Sequence, residues 1–434
     1  MIQRVDNDPE DCSPSVESKD PHFLRVLGPG LITGASDDDP SGIATYSQAG
    51  AQFGYMLAWT ILLSYPLVAA VQMISARLGR TTGHGIAGVL RLHYPNWFLQ
   101  VIVMLLLVAN IANIGADLGA MADATHLLLP GPRGFYILFF AGLCVYMQVF
   151  LRYEQYVAAL KWLTLALFAY FAAVVTTHVD WTELASGLFL PTIRWEKDYF
   201  TTIVAIFGTT ISPYLFFWQS AEEVEDIGAH PRRRELIDVP AQGNAALHRI
   251  RIDTLIGMAL ANLVALAIIV MAAATLKANG ITDIQTSAQA AEALRPIAGQ
   301  FSFIVFALGI VGTGLLAVPV LAGSAAYAIG EARGWPVGFS RRPMQAKAFY
   351  GTVALATAIG VLIDFSGINP IRALFWSAVI NGVIAVPVMA AMMLVTRRSD
   401  IMGPFAVTGG LQAIGWTAMG VMAIAAAAMF IMSF

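Results

Sequence analysis

The chain has 434 residues, of which 57% are hydrophobic and only 12% are charged, and its mean hydropathy is +0.68. This composition excludes a soluble globular protein and indicates a polytopic membrane protein. The net charge of −3 carries little information, but the two cysteines are too few for a disulfide framework or a thiolate metal site.

The predicted elements begin with a polar, acidic segment. Residues 1–22 contain no apolar run, so we expect a disordered cytoplasmic tail and no cleavable signal peptide. A helix needs roughly 20 apolar residues to cross the hydrocarbon core. That rule predicts an all-α transmembrane transporter domain over residues 23–434. It has about 11 spans, near residues 24–49, 55–76, 98–124, 134–150, 156–178, 199–219, 253–277, 301–330, 347–363, 370–395 and 410–432.

The basic residues predict the orientation of these spans, because cytoplasmic loops are enriched in Lys and Arg. With the N-terminus in the cytoplasm, most of the 25 basic residues fall on the cytoplasmic side, and the C-terminus lies outside. The basic residues that this topology leaves on the outer side are Arg133, Arg194, Lys197, Lys277, Arg295 and Arg372.

The first predicted span contains an acidic interruption, Asp-Asp-Asp-Pro-Ser-Gly at residues 37–42. Three carboxylates at membrane depth are costly unless something compensates them. Proline and glycine indicate a broken helix, which is tolerated there only where it is buried in protein or lines a wet cavity. Carboxylates and freed carbonyls together favour a cation site. The alternative is a soluble tail with the first span beginning near Phe53, which would leave residues 23–31 exposed.

The sixth predicted span contains a second interruption, Gly-Thr-Thr-Ile-Ser-Pro-Tyr at residues 208–214. Alone, Pro213 would indicate only a kink. The first and sixth spans are five apart and opposite in orientation, and matching interruptions in two inverted halves are typical of transporters with a midplane site. We therefore expect a 5+5 inverted repeat, at about 23–180 and 199–395, with broken helices 1 and 6 and an extra helix at about 410–432.

Two motifs resemble the first-helix signature of the NRAMP divalent-metal transporters. Residues 39–45 are Asp-Pro-Ser-Gly-Ile-Ala-Thr and residues 49–55 are Ala-Gly-Ala-Gln-Phe-Gly-Tyr; the family has Asp-Pro-Gly-Asn-x-Ala-Thr and then Ala-Gly-Ala-Gln-Phe-Gly-Tyr at the same spacing. The resemblance extends through residues 76–83 and 115–118, and it covers most of the chain. It implies a LeuT-like fold and a transporter that is not an enzyme and needs no cofactor.

The resemblance also implies a set of metal-binding residues. Family members bind Mn²⁺ or Fe²⁺ through the Asp and Asn of the first motif, a Met of the second, and backbone carbonyls. Here the Asp is Asp39, but the Asn position is Gly42 and the Met position is Ser212. The carbonyl positions are Ser36 and Thr209.

The departures from the family pattern bear on the ion. Replacing a thioether by a hydroxyl leaves only oxygen ligands, which suit Mg²⁺. Losing the Asn and Met side chains is expected to make room for the waters that Mg²⁺ retains. The chain therefore resembles the divergent branch of NRAMP-related magnesium transporters, with retained Mn²⁺ transport left open.

The residues beside the site also bear on proton coupling. Tyr214 stands at the family's His, and Asn110 and Ala120 stand at acids on either side of its span-three Asp. Since none of these three side chains titrates near neutral pH, we expect weak or absent coupling. Carboxylates that could supply a substitute route remain at Asp37, Asp38 and Asp117.

Two further features have alternative interpretations. The acidic run 222–226 is expected to be a solvated helix end that faces the Arg run 232–234, or else a vestibule that attracts cations. The amide of Asn381, within span ten, is expected to hydrogen-bond between helices, or else to bind the ion or act in gating.

The sequence thus predicts a secondary importer of divalent cations, Mg²⁺ ahead of Mn²⁺, in a bilayer that is expected to be the bacterial inner membrane. We expect neither nucleic acid nor an obligate protein partner. One alternative is a proton-coupled Mn²⁺ or Fe²⁺ transporter of the NRAMP type. Another is an organic-solute transporter of the same fold, for example for amino acids, although the acidic interruption would repel a substrate carboxylate.

Overall fold

The computed structural model describes residues 33–34, 36–150, 168–230 and 232–433, and all regular secondary structure in these ranges is helical. The predicted tail, the start of the first span and most of the fifth span lie outside the described residues. Nine stretches of the described chain are long and apolar enough to cross a membrane. The count of about 11 spans therefore stays a prediction.

The helices of eight or more residues are α1 (Pro40–Phe53), α2 (Ala58–Thr82), α3 (Ile86–His93), α4 (Asn96–His126), α5 (Arg133–Phe150), α6 (Phe168–Thr176), α7 (Trp181–Phe189), α8 (Lys197–Thr210), α9 (Pro213–Ala229), α10 (Gly243–Thr275), α11 (Ser302–Arg333), α12 (Lys347–Asp364), α13 (Pro370–Thr396) and α14 (Gly409–Ile431). Shorter α-helices span Ser287–Ala291, Arg295–Ala298 and Ser399–Met402. Short 3₁₀ helices span Gly54–Leu57, Pro240–Gln242, Lys277–Asn279, Glu292–Leu294, Gly299–Phe301 and Gly403–Phe405.

The first interruption lies where the sequence predicts it. The chain is helical before Asp38 and again from Pro40, and Asp39 between them is extended at φ −71° and ψ 170°. Proline suits the first helical position because the N–H that it lacks would have no partner inside the helix. Since most of α1 is buried in the core, the alternative of a soluble segment up to Phe53 is wrong.

The second interruption is confirmed in the same form. α8 ends at Thr210, and Ser212 is extended at φ −79° and ψ 135°. Pro213 then begins α9 in the position that Pro40 has in α1. Each broken helix thus carries an extended residue followed by proline, and each break exposes backbone groups that no helix satisfies.

The two halves of the chain pack in a matching way. α1, the second part of the first broken helix, packs against α10, which follows the second broken helix. In the same manner α9 packs against α2, and α4 packs against α11. Small residues allow these contacts: Gly50 of α1 meets the backbone of α10, and Gly79 of α2 meets the backbone of α9. This reciprocal packing brings the two interruptions to the same depth.

The acidic run 222–226 corrects a prediction. Glu223 is fully buried, and its carboxylate accepts a hydrogen bond of 2.6 Å from Arg249 of α10. Asp226 pairs with Arg233 of the expected basic run, and also lies 3.5 Å from Arg249. The interpretation as a solvated helix end is therefore wrong for Glu223. The physical reason is that a carboxylate enclosed by protein needs a charged partner, which α10 supplies.

Close backbone packing between α8 and α13 generates a stability prediction. A Cβ at Gly208 would overlap the carbonyl oxygen of Ala378 and the backbone of Gly382, and backbone atoms cannot move aside as a side chain can. Gly208→Ala should therefore lower the free energy of unfolding by about 1–3 kcal/mol. Thermal unfolding of the purified protein measures this as a lower Tm. Gly228→Ala is the control, because nothing lies within 4 Å of its Cβ position. Equal Tm values for the two variants would contradict the packing argument.

Candidate cation site

Asp39 is the centre of the site, and four groups hold its carboxylate at the first interruption. Its Oδ1 accepts hydrogen bonds from the backbone N–H of Gly42 at 2.8 Å and the hydroxyl of Ser41 at 2.6 Å. Its Oδ2 accepts from the amide of Asn113 at 2.8 Å and the phenol of Tyr214 at 3.4 Å. Asp39 is 1% exposed, so these donors replace the water that a carboxylate would otherwise bind.

The second interruption contributes the hydroxyl of Ser212, which donates its proton to backbone carbonyl oxygens. Ser212 Oγ donates to the carbonyl oxygens of Gly208 at 2.6 Å and Thr209 at 2.9 Å. A hydroxyl oxygen that donates its proton keeps its lone pairs, which can bind a cation. The hydroxyls of Ser41 and Thr209 lie 3.5 Å apart and connect the two interruptions.

Tyr214 also joins the two interruptions. Its hydroxyl lies 3.0 Å from the carbonyl oxygen of Ser36 and 3.4 Å from Asp39 Oδ2, and it donates toward both. The structure therefore brings Ser36, Asp39, Thr209 and Ser212 into one region. Tyr214 fills the place where the resemblance implies a histidine, and it acts there as a neutral hydrogen-bond donor.

Gly42 corrects one expectation about space. A Cβ at this position would lie 3.2 Å from both Thr209 Oγ1 and Tyr46 Cε2, which is tighter than ordinary van der Waals contact. The expected room for water is therefore not found beside Gly42. The reason is that Thr209 and Tyr46 occupy the space into which a longer side chain would extend.

Asn113 belongs to the site although the sequence analysis did not identify it. Its amide nitrogen donates to Asp39 and also lies 3.5 Å from Asp117 Oδ2. Asn113 and Asp117 are both fully buried, four residues apart on α4. Residues four apart share a helix face. The amide one turn before the membrane-embedded Asp117 was therefore the sequence feature that could have identified Asn113 as part of the site.

Buried carboxyl groups without a basic partner characterise the region. Asp37, Asp38 and Asp117 are at most 5% exposed, and Oδ1 of each has no hydrogen-bond partner in the described chain. None of the ion pairs found among the described residues involves these three or Asp39. Buried carboxylates without a basic partner are strongly unfavourable, so a bound cation would stabilise them.

The site is not a cluster of side-chain ligands. Over the described ranges, no three His, Cys, Asp or Glu side chains converge in a geometry that could hold a metal ion. The arrangement instead offers a single well-placed carboxylate with carbonyl and hydroxyl oxygens around it. Such a site suits an ion that retains part of its water shell.

Asn381 of α13 lies outside this hydrogen-bonded group. It is fully buried, and neither polar atom of its amide has a hydrogen-bond partner among the residues that the structure describes. The predicted interhelical hydrogen bond is therefore not found there. The adjacent Gly382 packs against α8 at Gly208, so Asn381 lies near the end of α8.

A partly polar cavity of about 440 Å³ lies on the side that the topology predicts to be external. Helices α1, α8 and α13 surround it, and its wall includes Ala44, five residues after Asp39. Polar and aromatic side chains that line the cavity include Gln48, Gln52, Thr201, Thr202, Asp283 and Trp376. Further along α9, the buried Glu223 forms an ion pair with Arg249 of α10.

Comparisons with known proteins show the family pattern and the fold. The family described as natural resistance-associated macrophage protein-like (Nramp) matches residues 30–432. The divalent metal cation transporter MntH of Klebsiella pneumoniae subsp. pneumoniae is 26% identical over 415 residues, which cover 92% of each chain.

Two solved structures are similar to this one. The crystal structure of the Eremococcus coleocola manganese transporter in complex with an aromatic bis-isothiourea substituted compound has a TM-score of 0.71 at 18% identity, and the match covers 97% of this chain and 90% of that chain. Mhp1, a nucleobase-cation-symport-1 family transporter, has a TM-score of 0.57 at 13% identity, with 94% and 93% covered. These similarities confirm the predicted LeuT-like inverted-repeat fold.

Asp39 is the residue on which cation binding should depend most. Asp39→Ala removes the carboxylate at the helix break, so we expect the heat of Mn²⁺ or Mg²⁺ binding in titration calorimetry to disappear. The exposed carboxylate of Asp238 provides the matched control, Asp238→Ala, which should bind as the wild type does. A monodisperse Asp39→Ala protein that retains wild-type affinity would rule out this site.

Proposed function

Because the chain belongs to the Nramp family, we propose that it imports divalent metal cations through the site at Asp39. It is a membrane transporter and not an enzyme. In this function the protein favours Mg²⁺, also carries Mn²⁺, and couples transport to protons weakly or not at all.

The observation that carries the Mg²⁺ proposal is that the candidate ligands are all oxygen atoms. They are the Asp39 carboxylate, the Ser212 hydroxyl and the backbone carbonyls of Ser36 and Thr209. Carboxylate, carbonyl and hydroxyl oxygens suit hard ions, whereas a thioether selects softer transition ions. Since Ser212 stands where the family has Met, the penalty that a thioether imposes on Mg²⁺ is missing.

The names of the relatives favour a second candidate ion. MntH is named a divalent metal cation transporter, and the structural neighbour from Eremococcus coleocola is named a manganese transporter. An oxygen site also accepts Mn²⁺, which binds carboxylate, carbonyl and water. A proton-coupled Mn²⁺ transporter is therefore the alternative, which ion titrations and liposome transport measurements distinguish from an uncoupled Mg²⁺ carrier.

An organic substrate is disfavoured by the charge of the site. The buried carboxylates of Asp37, Asp38 and Asp117 surround the interruption at Asp39, and ion pairs to neutralise them are missing from the described chain. A substrate carboxylate would find no basic partner there, whereas a divalent cation would bind these carboxyl groups in their ionised form.

The route of the ion follows from the cavity and the predicted topology. The 440 Å³ cavity opens near Lys197 and Arg372, which the basic-residue distribution assigns to the external side. A hydrated cation would enter there and reach α1, and the pair Glu223–Arg249 lies further along α9, on the side that the same topology assigns to the cytoplasm. For a divalent ion, a membrane potential of 100 mV is worth about 4.6 kcal/mol, which can drive inward transport.

Weak proton coupling is supported by the bonding of two residues. Tyr214 donates toward Ser36 and Asp39, and Asn110 donates to the Leu321 carbonyl and the Ser324 hydroxyl. Phenol and amide groups do not exchange protons near neutral pH, so both act as fixed donors. Together with Ala120, they interrupt the route that the family's titratable side chains would provide.

Selectivity should respond to the residue at position 212. Ser212→Met places a thioether at the second interruption, so binding should shift toward Mn²⁺ or Cd²⁺ and away from Mg²⁺ by about 10-fold or more in the ratio of affinities. Calorimetric titrations with each ion measure this ratio. Ser212→Ala, which removes the hydroxyl without adding sulfur, separates the two effects. An unchanged Mg²⁺/Mn²⁺ ratio in Ser212→Met would place Ser212 away from the ion.

Transport should proceed without proton movement. In liposomes held at a fixed potential, we expect Mg²⁺ and Mn²⁺ entry without lumenal acidification, and entry should increase with a more negative interior. A lumenal pH dye and a metal dye measure both in one preparation. Acidification that grows with metal concentration and disappears in Asp37→Asn, Asp38→Asn or Asp117→Asn would contradict weak coupling and identify the substitute route.

A further inference from the structure

Asn113 has an unusual position for a buried amide. Its nitrogen donates 2.8 Å to Asp39 Oδ2 and faces Asp117 Oδ2 at 3.5 Å, while its Oδ1 has no hydrogen-bond partner among the described residues. The side chain is fully buried. Buried amide oxygens are normally satisfied, so an unpartnered one beside a carboxylate site requires an explanation.

We propose that Asn113 binds the transported cation through its amide oxygen, together with Asp39. This inference rests on the proposed function, since it concerns the same ion. The first motif has Gly42 where the family has an Asn ligand, and the backbone of Gly42 contacts Oδ1 of Asp39. In this chain the amide ligand would come instead from Asn113 of α4, which contacts Oδ2 of Asp39.

The amide nitrogen of Asn113 faces Asp39 and Asp117, which is the orientation expected when only protein groups surround the side chain. Two carboxylate oxygens face the side chain, so the NH₂ group points toward them as a donor. A cation on Asp39 Oδ2 would repel the NH₂ group and attract the amide oxygen. The terminal torsion of Asn is broad and roughly two-fold, so a half-turn about χ2 exchanges the two groups without moving the backbone.

Position 42 cannot supply this ligand without rearrangement. A side chain there would press on Thr209 and Tyr46, each 3.2 Å from its Cβ. The amide on α4 avoids that crowding because it approaches Asp39 from the opposite carboxylate oxygen. The cation would then link the broken first helix to α4, a helix that packs against α11, α12 and α13.

Asn110 provides a matched comparison on the same helix. It is equally buried, and its nitrogen donates to the carbonyl of Leu321 at 2.9 Å and the hydroxyl of Ser324 at 2.7 Å. Asn110 therefore connects α4 to α11 and makes no hydrogen bond to the site carboxylates. Replacing it tests the effect of losing a buried amide from α4 without changing the groups around Asp39.

The experiment compares four full-length proteins by titration calorimetry with Mn²⁺ and with Mg²⁺. They are the wild type, Asn113→Leu, Asn113→Asp and Asn110→Leu. Leu has the same branched heavy-atom skeleton as Asn without polar atoms, whereas Asp keeps two oxygens in the same place but loses the NH₂ donor. If Asn113 is a ligand, Asn113→Leu should lose about 10-fold or more in affinity, and Asn113→Asp should stay within about three-fold of the wild type. Asn110→Leu should retain the wild-type affinity even if its Tm falls.

Two other outcomes overturn the inference. Wild-type affinity in Asn113→Leu would show that the amide does not contact the ion. Equal losses in Asn113→Leu and Asn113→Asp would show that only the NH₂ donor matters. If Asn113→Leu does not fold, Asn113→Ser replaces it, because its shorter side chain cannot reach the ion. Binding of neither ion by the wild type would refute the proposed function as well, which distinguishes the two failures.

Discussion

The structure depends on one constraint: a carboxylate buried at membrane depth must be held and neutralised by its surroundings. Four hydrogen-bond donors hold the carboxylate of Asp39 in place. They are the backbone N–H of Gly42, the hydroxyl of Ser41, the amide of Asn113 and the phenol of Tyr214. It has no basic partner within the described chain. The protein therefore supplies the geometry of the site, and in the proposed function the transported cation would supply the compensating charge.

The inverted repeat places the donors around that carboxylate. Because α1 packs on α10 and α9 packs on α2, the two helix breaks meet, and each exposes backbone oxygens that a regular helix would have used. Glycines at the close contacts let the backbones approach. Reciprocal packing thus turns two separate local defects into one polar site between otherwise apolar helices.

The same arrangement connects the site structurally to both membrane faces. On one side, a polar cavity reaches α1 a little more than one turn after Asp39. On the other, α9 continues from the second break to the buried pair Glu223–Arg249. One continuous helix therefore connects Tyr214, whose hydroxyl lies 3.4 Å from Asp39, to this buried ion pair. Movement of α9 would change both together, as alternating access requires.

The sequence by itself determined the transmembrane class, both helix breaks, the family and the position of Asp39 at the first break, because hydropathy, proline position and motif spacing are local properties. It did not identify Asn113, 74 positions from its partner Asp39, or the pairing of Glu223 with Arg249. It also predicted space at Gly42 that Thr209 and Tyr46 fill. Those features were decided only by the tertiary structure, because which helix faces meet depends on the packing of the whole bundle rather than on any one segment.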